Sequence, residues 1–214
     1  MAKKAAFLLF RGFEMLDFYG PVSVLGSHTL NGAYQILTVS ETAGPVASSI
    51  GISTVTEYDF QTCPKPDILV LVGGFGTRKE IDNKQLINFI KRFGPPPAGS
   101  PDSTPNLLTV CTGSALAARA GSLDGRNATT NKGAWEWATA QGPETAWALE
   151  ARWVVDGPVW TSAGVTAGTD MALAYVMKHH GEQAAEEVAG FLEYTGDFRN
   201  DRSPIVHVKR ANTK

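Results

Sequence analysis

The 214-residue chain is poor in the residues that staple or metallate small proteins: it has two cysteines, Cys63 and Cys111, and four histidines, His28, His179, His180 and His207. So few cysteines argue against a disulfide-stapled secreted scaffold. No His or Cys spacing matches a metal-ligand motif, so no metal is expected. Charge of one sign is also lacking. Lys plus Arg number 19 against 21 Asp plus Glu, a formal net charge of -2, without the basic footprint that nucleic-acid or anionic-membrane binding requires. No apolar run approaches the roughly 20 residues of a membrane span, and no charged-then-apolar leader follows Met1-Ala2-Lys3-Lys4. The expected setting is cytoplasmic and reducing, with Cys111 free. Cys63, ahead of Pro64-Lys65-Pro66, reads as a packing residue, and the histidines read as surface or helix-end residues.

What is present fits an ordinary globule: 43% hydrophobic and 19% charged residues, enough to bury a core in a single domain spanning 1–214, with an irregular tail from about 196 to 214. Ala5 to Phe10, Tyr34 to Val39 and Asp67 to Val72 read as strands, the first and third as continuous apolar runs buried on both faces of a parallel sheet. Asp17 lies beyond the first of these, before a Pro-containing apolar segment, and its plain reading is a helix N-cap. Gly44 to Tyr58 reads as an irregular extended excursion. Gly73-Gly74-Phe75-Gly76 follows the third strand, where glycines let backbone N–H groups face a ligand. It lacks the later glycine and acidic partner of a dinucleotide fingerprint.

Asn83 to Phe93 carries apolar residues at helical spacing, and Gly94 to Asn106 is a proline-rich surface loop. Arg152 to Thr161 reads as a hairpin with Asp156-Gly157 at its turn. Ser162 to Asp170 leads into a long Ala/Leu/Met helix through His179, and Glu182 to Tyr194 reads as the last helix. The five tryptophans fall between 135 and 160, mostly as packing residues, with room for one to wall a pocket.

The stretch that organises the chain is Asn106 to Gly121. A β-branched and apolar run enters Cys111, and an Ala/Leu-rich segment with a Gly stop follows: strand, sharp turn, helix. A cysteine at such a turn stands above the sheet edge and against the positive helix N-terminus, both of which favour a thiolate. Thr109-x-Cys111-x-Gly113 has the outline of a nucleophile elbow. Read on this stretch alone, Cys111 is equally a buried structural cysteine. Alternating strands and helices predict a doubly wound, mostly parallel sheet with helices on both faces. Ligands bind such folds at the carboxyl ends of the strands, where Asp17, Gly73-Gly74 and Cys111 all fall.

Leu16-Asp17-x-x-Gly20-Pro21, Gly73-Gly74-x-Gly76, Val110-Cys111-Thr112-Gly113-Ser114, Ala128-Thr129-Thr130 and Ser162-Ala163-Gly164-Val165-Thr166-Ala167-Gly168-x-Asp170 together resemble the ThiJ/PfpI superfamily, and within it the isonitrile hydratase branch. Glu193-Tyr194 before a Ser-Pro segment is similar too. The resemblance implies a flavodoxin-like α/β sandwich acting as a homodimer without metal or organic cofactor. It makes Cys111 the nucleophile, Asp17 the carboxylate beside it and Thr112 its neighbour. Gly73 and Gly74, as backbone donors, and Val165 fall on the substrate side. The chain departs from relatives where Thr112 replaces the histidine of the peptidase-like branch and where Asn131 stands near the histidine of the glyoxalase-like branch. Hydratase relatives often carry His-Trp where Asn131-Lys132 stands here.

The activity implied is addition of water to a small isonitrile through a Cys111 thioimidate. Two alternatives stay open: another cysteine enzyme of the superfamily acting on reactive carbonyls such as methylglyoxal, and a non-enzymatic redox or ligand sensor. No helix-turn-helix pattern is evident, so a self-contained DNA-binding regulator is not expected.

Overall fold

A computed structural model describes residues 1–100 and 105–203. Its elements in chain order are β1 (Lys3–Leu8), α1 (Met15–Leu25), β2 (Tyr34–Val39), β3 (Gly44–Ala47), β4 (Ser53–Thr56), β5 (Ile68–Leu71), α2 (Thr77–Glu80), α3 (Lys84–Phe93) and β6 (Asn106–Val110). There follow α4 (Gly113–Arg119), β7 (Asn127–Ala128), α5 (Trp135–Thr139), β8 (Ala146–Trp147), β9 (Trp153–Asp156), β10 (Val159–Ser162), α6 (Ala167–His180) and α7 (Glu182–Phe191).

The main sheet runs β2-β1-β5-β6-β10-β9. Its first five strands are parallel and β9 pairs antiparallel at the edge. Numbered among themselves, the parallel strands give the flavodoxin-like order, whose topological reversal falls between β1 and β5. α6 packs against α1 and α7, while α4 packs against α2, α3 and α5, so separate helix groups cover the sheet. Covering both faces explains the apolar runs: all of β5 and the last four residues of β1 are buried. Each fully buried Leu or Phe there contributes about 1.5–3 kcal/mol relative to exposure.

Three local expectations change. Glu14, not Asp17, is the N-cap of α1, its carboxylate oxygen 3.5 Å from the Leu16 N–H, and Asp17 sits one turn inside. Pro21 is in the helix interior, where it removes the N–H that would otherwise reach the Asp17 carbonyl. Gly44 to Tyr58 is not irregular: β3 and β4 form an antiparallel hairpin pairing Gly44 with Thr56 through Ala47 with Ser53. The last helix ends at Phe191 rather than Tyr194. The β9–β10 hairpin does form, with Gly157-Pro158 between the paired Asp156 and Val159. Residues 101–104 of the proline loop and 204–214 of the tail lie outside the described residues.

Candidate active site

β6 delivers Cys111 to the sheet edge in a left-handed conformation, with φ of 56°. That region is uncommon for a residue with a Cβ, and the neighbours hold it there. The Cys111 N–H donates to the Ser162 carbonyl at 3.1 Å, and the Cys111 carbonyl accepts hydroxyls from Ser114 at 3.1 Å and Thr130 at 3.2 Å. α4 starts directly after this turn, at Gly113, where a Cβ would collide with the Leu71 carbonyl of β5. Strand and helix can pass this closely only with glycine at that position.

α1 brings Asp17 to the same place from the other side of the topological reversal. Its side chain is wholly buried; Oδ2 accepts the Gly73 N–H at 2.8 Å, and Oδ1 has no hydrogen-bond partner among the described residues. A Cβ at Gly73 would lie 2.6 Å from the Thr112 nitrogen and 2.8 Å from Asp17 Oδ2. Gly73 is therefore where three chain segments converge. Burial, helped by the charge of Glu14, lifts the Asp17 carboxyl to about 8, against the opposing pull of the Gly73 N–H and of Cys111.

Cys111 is also pushed well up, by burial first and the Asp17 charge second. The expectation that the elbow favours a thiolate is thus reversed. α4 has only seven residues, and desolvation at Cys111, a residue only 6% exposed, outweighs its dipole. Opposing the rise are the Thr112 N–H, the Asn131 side chain and the Thr112 side chain.

Asn131 is the residue the sequence reading left without a role. Its Oδ1 accepts the Ala134 N–H at 3.1 Å, which turns Nδ2, a donor, toward the sulfur. Next to it, buried Lys132 donates to Thr129 Oγ1 at 2.7 Å and to the Ala151 carbonyl at 3.0 Å, fixing the loop that carries Asn131. Burial lowers the Lys132 ammonium to about 8.

Neither glycine amide is open to a ligand. The Gly73 N–H is held by Asp17, and the Gly74 N–H donates to Thr112 Oγ1 at 3.0 Å. The expected role as free donors is replaced by one of positioning, because the same close approach that brings these amides to the site lets Asp17 and Thr112 take them first. The Thr77 hydroxyl lies 3.1 Å from Thr112 Oγ1 and completes that network.

Cys111 and Thr112 open onto a cavity of about 260 Å³. Val165 and Ala134 supply apolar wall, Asn131 and Glu14 polar wall, and Phe75 and Arg78 stand on its α2 side. Asp170, from the motif that carries Val165, lies elsewhere: it pairs with Arg152 and accepts the Tyr194 hydroxyl at 2.6 Å, tying α6 to the segment after α7. Cys63 is remote from the site and buried, its thiol raised by burial to about 11. Among the described residues no group of three or more His, Cys, Asp or Glu side chains converges as metal ligands, and no helix is long and apolar enough to cross a membrane.

Residues 3–178 match the DJ-1/PfpI family. The chain is 32% identical over 194 residues to isonitrile hydratase of Pseudomonas putida, covering 91% of this chain and 79% of that protein. It is also 29% identical over 191 residues to the HTH-type transcriptional regulator CdhR of Pseudomonas aeruginosa, covering 88% of this chain and 54% of the regulator. A ThiJ/PfpI family protein from Pseudomonas syringae has the same fold, with a TM-score of 0.81 and 29% identity over 92% of this chain and 77% of that one. An elbow cysteine facing a buried carboxylate, on this strand order and with these matches, places the chain in the DJ-1/PfpI family.

Proposed function

We propose that the protein is an isonitrile hydratase, converting R–NC and water to an N-substituted formamide with Cys111 as nucleophile and Asp17 as proton carrier. The observation that carries this reading is the buried Asp17 Oδ1, which has no hydrogen-bond partner among the described residues and belongs to a carboxyl that interacts with the Cys111 thiol. A buried unsatisfied oxygen is costly unless it has work to do, and a carboxyl lifted to about 8 can give and take protons near neutral pH.

The chemistry needs one proton shared between the two side chains. Cys111 hands that proton to Asp17 as its sulfur attacks the terminal isonitrile carbon, and Asp17 then protonates the same carbon, giving the thioimidate S–CH=N–R. Water then adds to this carbon. Asp17 takes a proton from the water and passes it to nitrogen, leaving S–CH(OH)–NH–R. Loss of the hydroxyl proton to Asp17 expels the thiolate and releases the formamide, which restores the starting pair. The Thr112 N–H and the Asn131 amide stabilise the sulfur's negative charge when it forms and when it departs. Gly73 and Gly74 hold Asp17 and Thr112 in register, and Val165 and Ala134 shape the space for R.

A homodimer belongs to the same proposal. Leu16 and Tyr19 of α1 and Ile50, Ile52 and Val55 of the β3–β4 hairpin are exposed apolar side chains, on two elements joined by a 2.8 Å hydrogen bond between the Tyr19 and Thr54 hydroxyls. An apolar surface of this kind suits association.

The test of substrate class offers the purified protein a small aromatic isonitrile and, separately, methylglyoxal. Formamide from the first and no lactate from the second is the expected result. Lactate without formamide would transfer the site to reactive-carbonyl chemistry.

A further inference from the structure

Arg78 is a cation at the Cys111 cavity that the reaction above does not use. Its guanidinium lies 4.6 Å from the Trp137 ring and 5.8 Å from the Phe75 ring, so two aromatic faces hold it in place. The ion pairs among the described residues engage Arg119, Arg126, Arg152 and Arg199, and Arg78 takes part in none of them. The one carboxylate in the cavity wall, Glu14, is turned instead toward the Leu16 N–H and the Ser49 hydroxyl. Glu14 and Arg78 thus give the cavity a polarity, with negative charge beside α1 and an unpaired, planar donor fork beside α2. A stacked guanidinium with free N–H groups matches the geometry of a carboxylate, and Glu14 repels that carboxylate from the opposite wall.

We propose that Arg78, stacked on Trp137, is the recognition point for a carboxylate on the substrate, so that the natural substrates are small isonitriles bearing an acid group. The substrate class rests on the hydratase reading; the anion site itself does not. Arg78 positions the ligand and takes no part in proton transfer, so its loss should raise KM for an acidic substrate and leave kcat nearly unchanged. A neutral isonitrile should be indifferent to it.

Two matched pairs of probes separate these claims. Para-isocyanobenzoate and its methyl ester report hydration, and para-(bromomethyl)benzoate and its methyl ester report the rate of Cys111 alkylation, read by mass spectrometry. The wild-type protein should prefer the acid over the ester in both pairs. In Arg78→Met each preference should fall about tenfold, the scale of a lost charge-assisted hydrogen bond, and Arg78→Lys should keep part of it. Arg78 is exposed, so neither variant should unfold the chain, which an unchanged melting temperature would verify. An alkylation preference that is absent, or that survives in Arg78→Met, overturns the anion site. An alkylation preference that depends on Arg78, with neither isonitrile hydrated, upholds the anion site and overturns the hydratase reading and with it the substrate class. Hydration of both isonitriles without preference overturns the substrate class alone.

Discussion

The Asp17 carboxylate pushes the Cys111 thiol up, and Cys111 in turn pulls the Asp17 carboxyl down, so the two titrate as one pair rather than as independent acids. Desolvation exceeds both effects and lifts each group. At pH 7 the resting pair therefore carries two protons, and the working form, with one, appears as the first leaves near pH 8.

The pH dependence of kcat/KM follows from this. Activity should rise through an acid limb near pH 8, set by loss of the pair's first proton, and should fall only at a much higher pH where the second is lost. A profile of initial formamide rates checks it. An acid limb near the ordinary carboxylate range would show that burial does not govern the pair.

Stability should move in the opposite direction. Asp17 is an acid whose folded pKa, about 8, lies above its ordinary 3.8, so between those values the folded state binds more protons than the unfolded one. Unfolding free energy then declines as pH rises through this window, by up to about 1.4 kcal/mol per pH unit for one proton, and levels off above it. Asp17→Asn removes the dependence. Its melting temperature should exceed that of the wild type above pH 8, and the difference should shrink toward pH 5; equal pH slopes for the two proteins would count against the assignment.

Asn131 offers a variant that separates donor from cap. Asn131→Asp keeps an oxygen for the Ala134 N–H but removes the amide hydrogen that faces Cys111 and adds a negative charge. Turnover should drop by roughly 100-fold, in line with loss of one preorganised donor, and the acid limb should shift upward. Asn131→Ala should lose the cap as well, at a cost of about 1 kcal/mol in stability. Full activity in Asn131→Asp would remove the amide from the mechanism.

The dimer proposal is checked by sedimentation. Val55→Asp places a charge on the exposed face of β4 and should convert the protein to a monomer with an unchanged fold. A wild-type protein that sediments as a monomer at every concentration would dispose of the proposal.

The sheet was legible in the sequence because strands covered on both faces must be apolar throughout, as Ile68 to Leu71 is. The elbow was legible because few arrangements place a cysteine between a β-branched run and a small-residue helix. Less legible were features that depend on long-range contact. The β3–β4 hairpin hides behind Pro45 and the exposed Val55, which break the alternation expected of a half-buried strand. The upward shift of Cys111 comes from packing around the sulfur and from Asp17, which the helix N-terminus in the sequence does not reveal. Asn131 becomes a donor to the sulfur only because the Ala134 N–H occupies its oxygen, and Arg78 meets Trp137 only in the folded chain.

The most direct test of the account is the rate of formamide formation from a small aromatic isonitrile by the wild-type protein, Cys111→Ala and Asp17→Asn, measured side by side at pH 8. Turnover by the wild type and its loss in both variants, with all three folded, is the predicted result. Turnover that persists in Cys111→Ala would contradict the covalent route, and turnover that persists in Asp17→Asn would contradict the shared proton on which it depends.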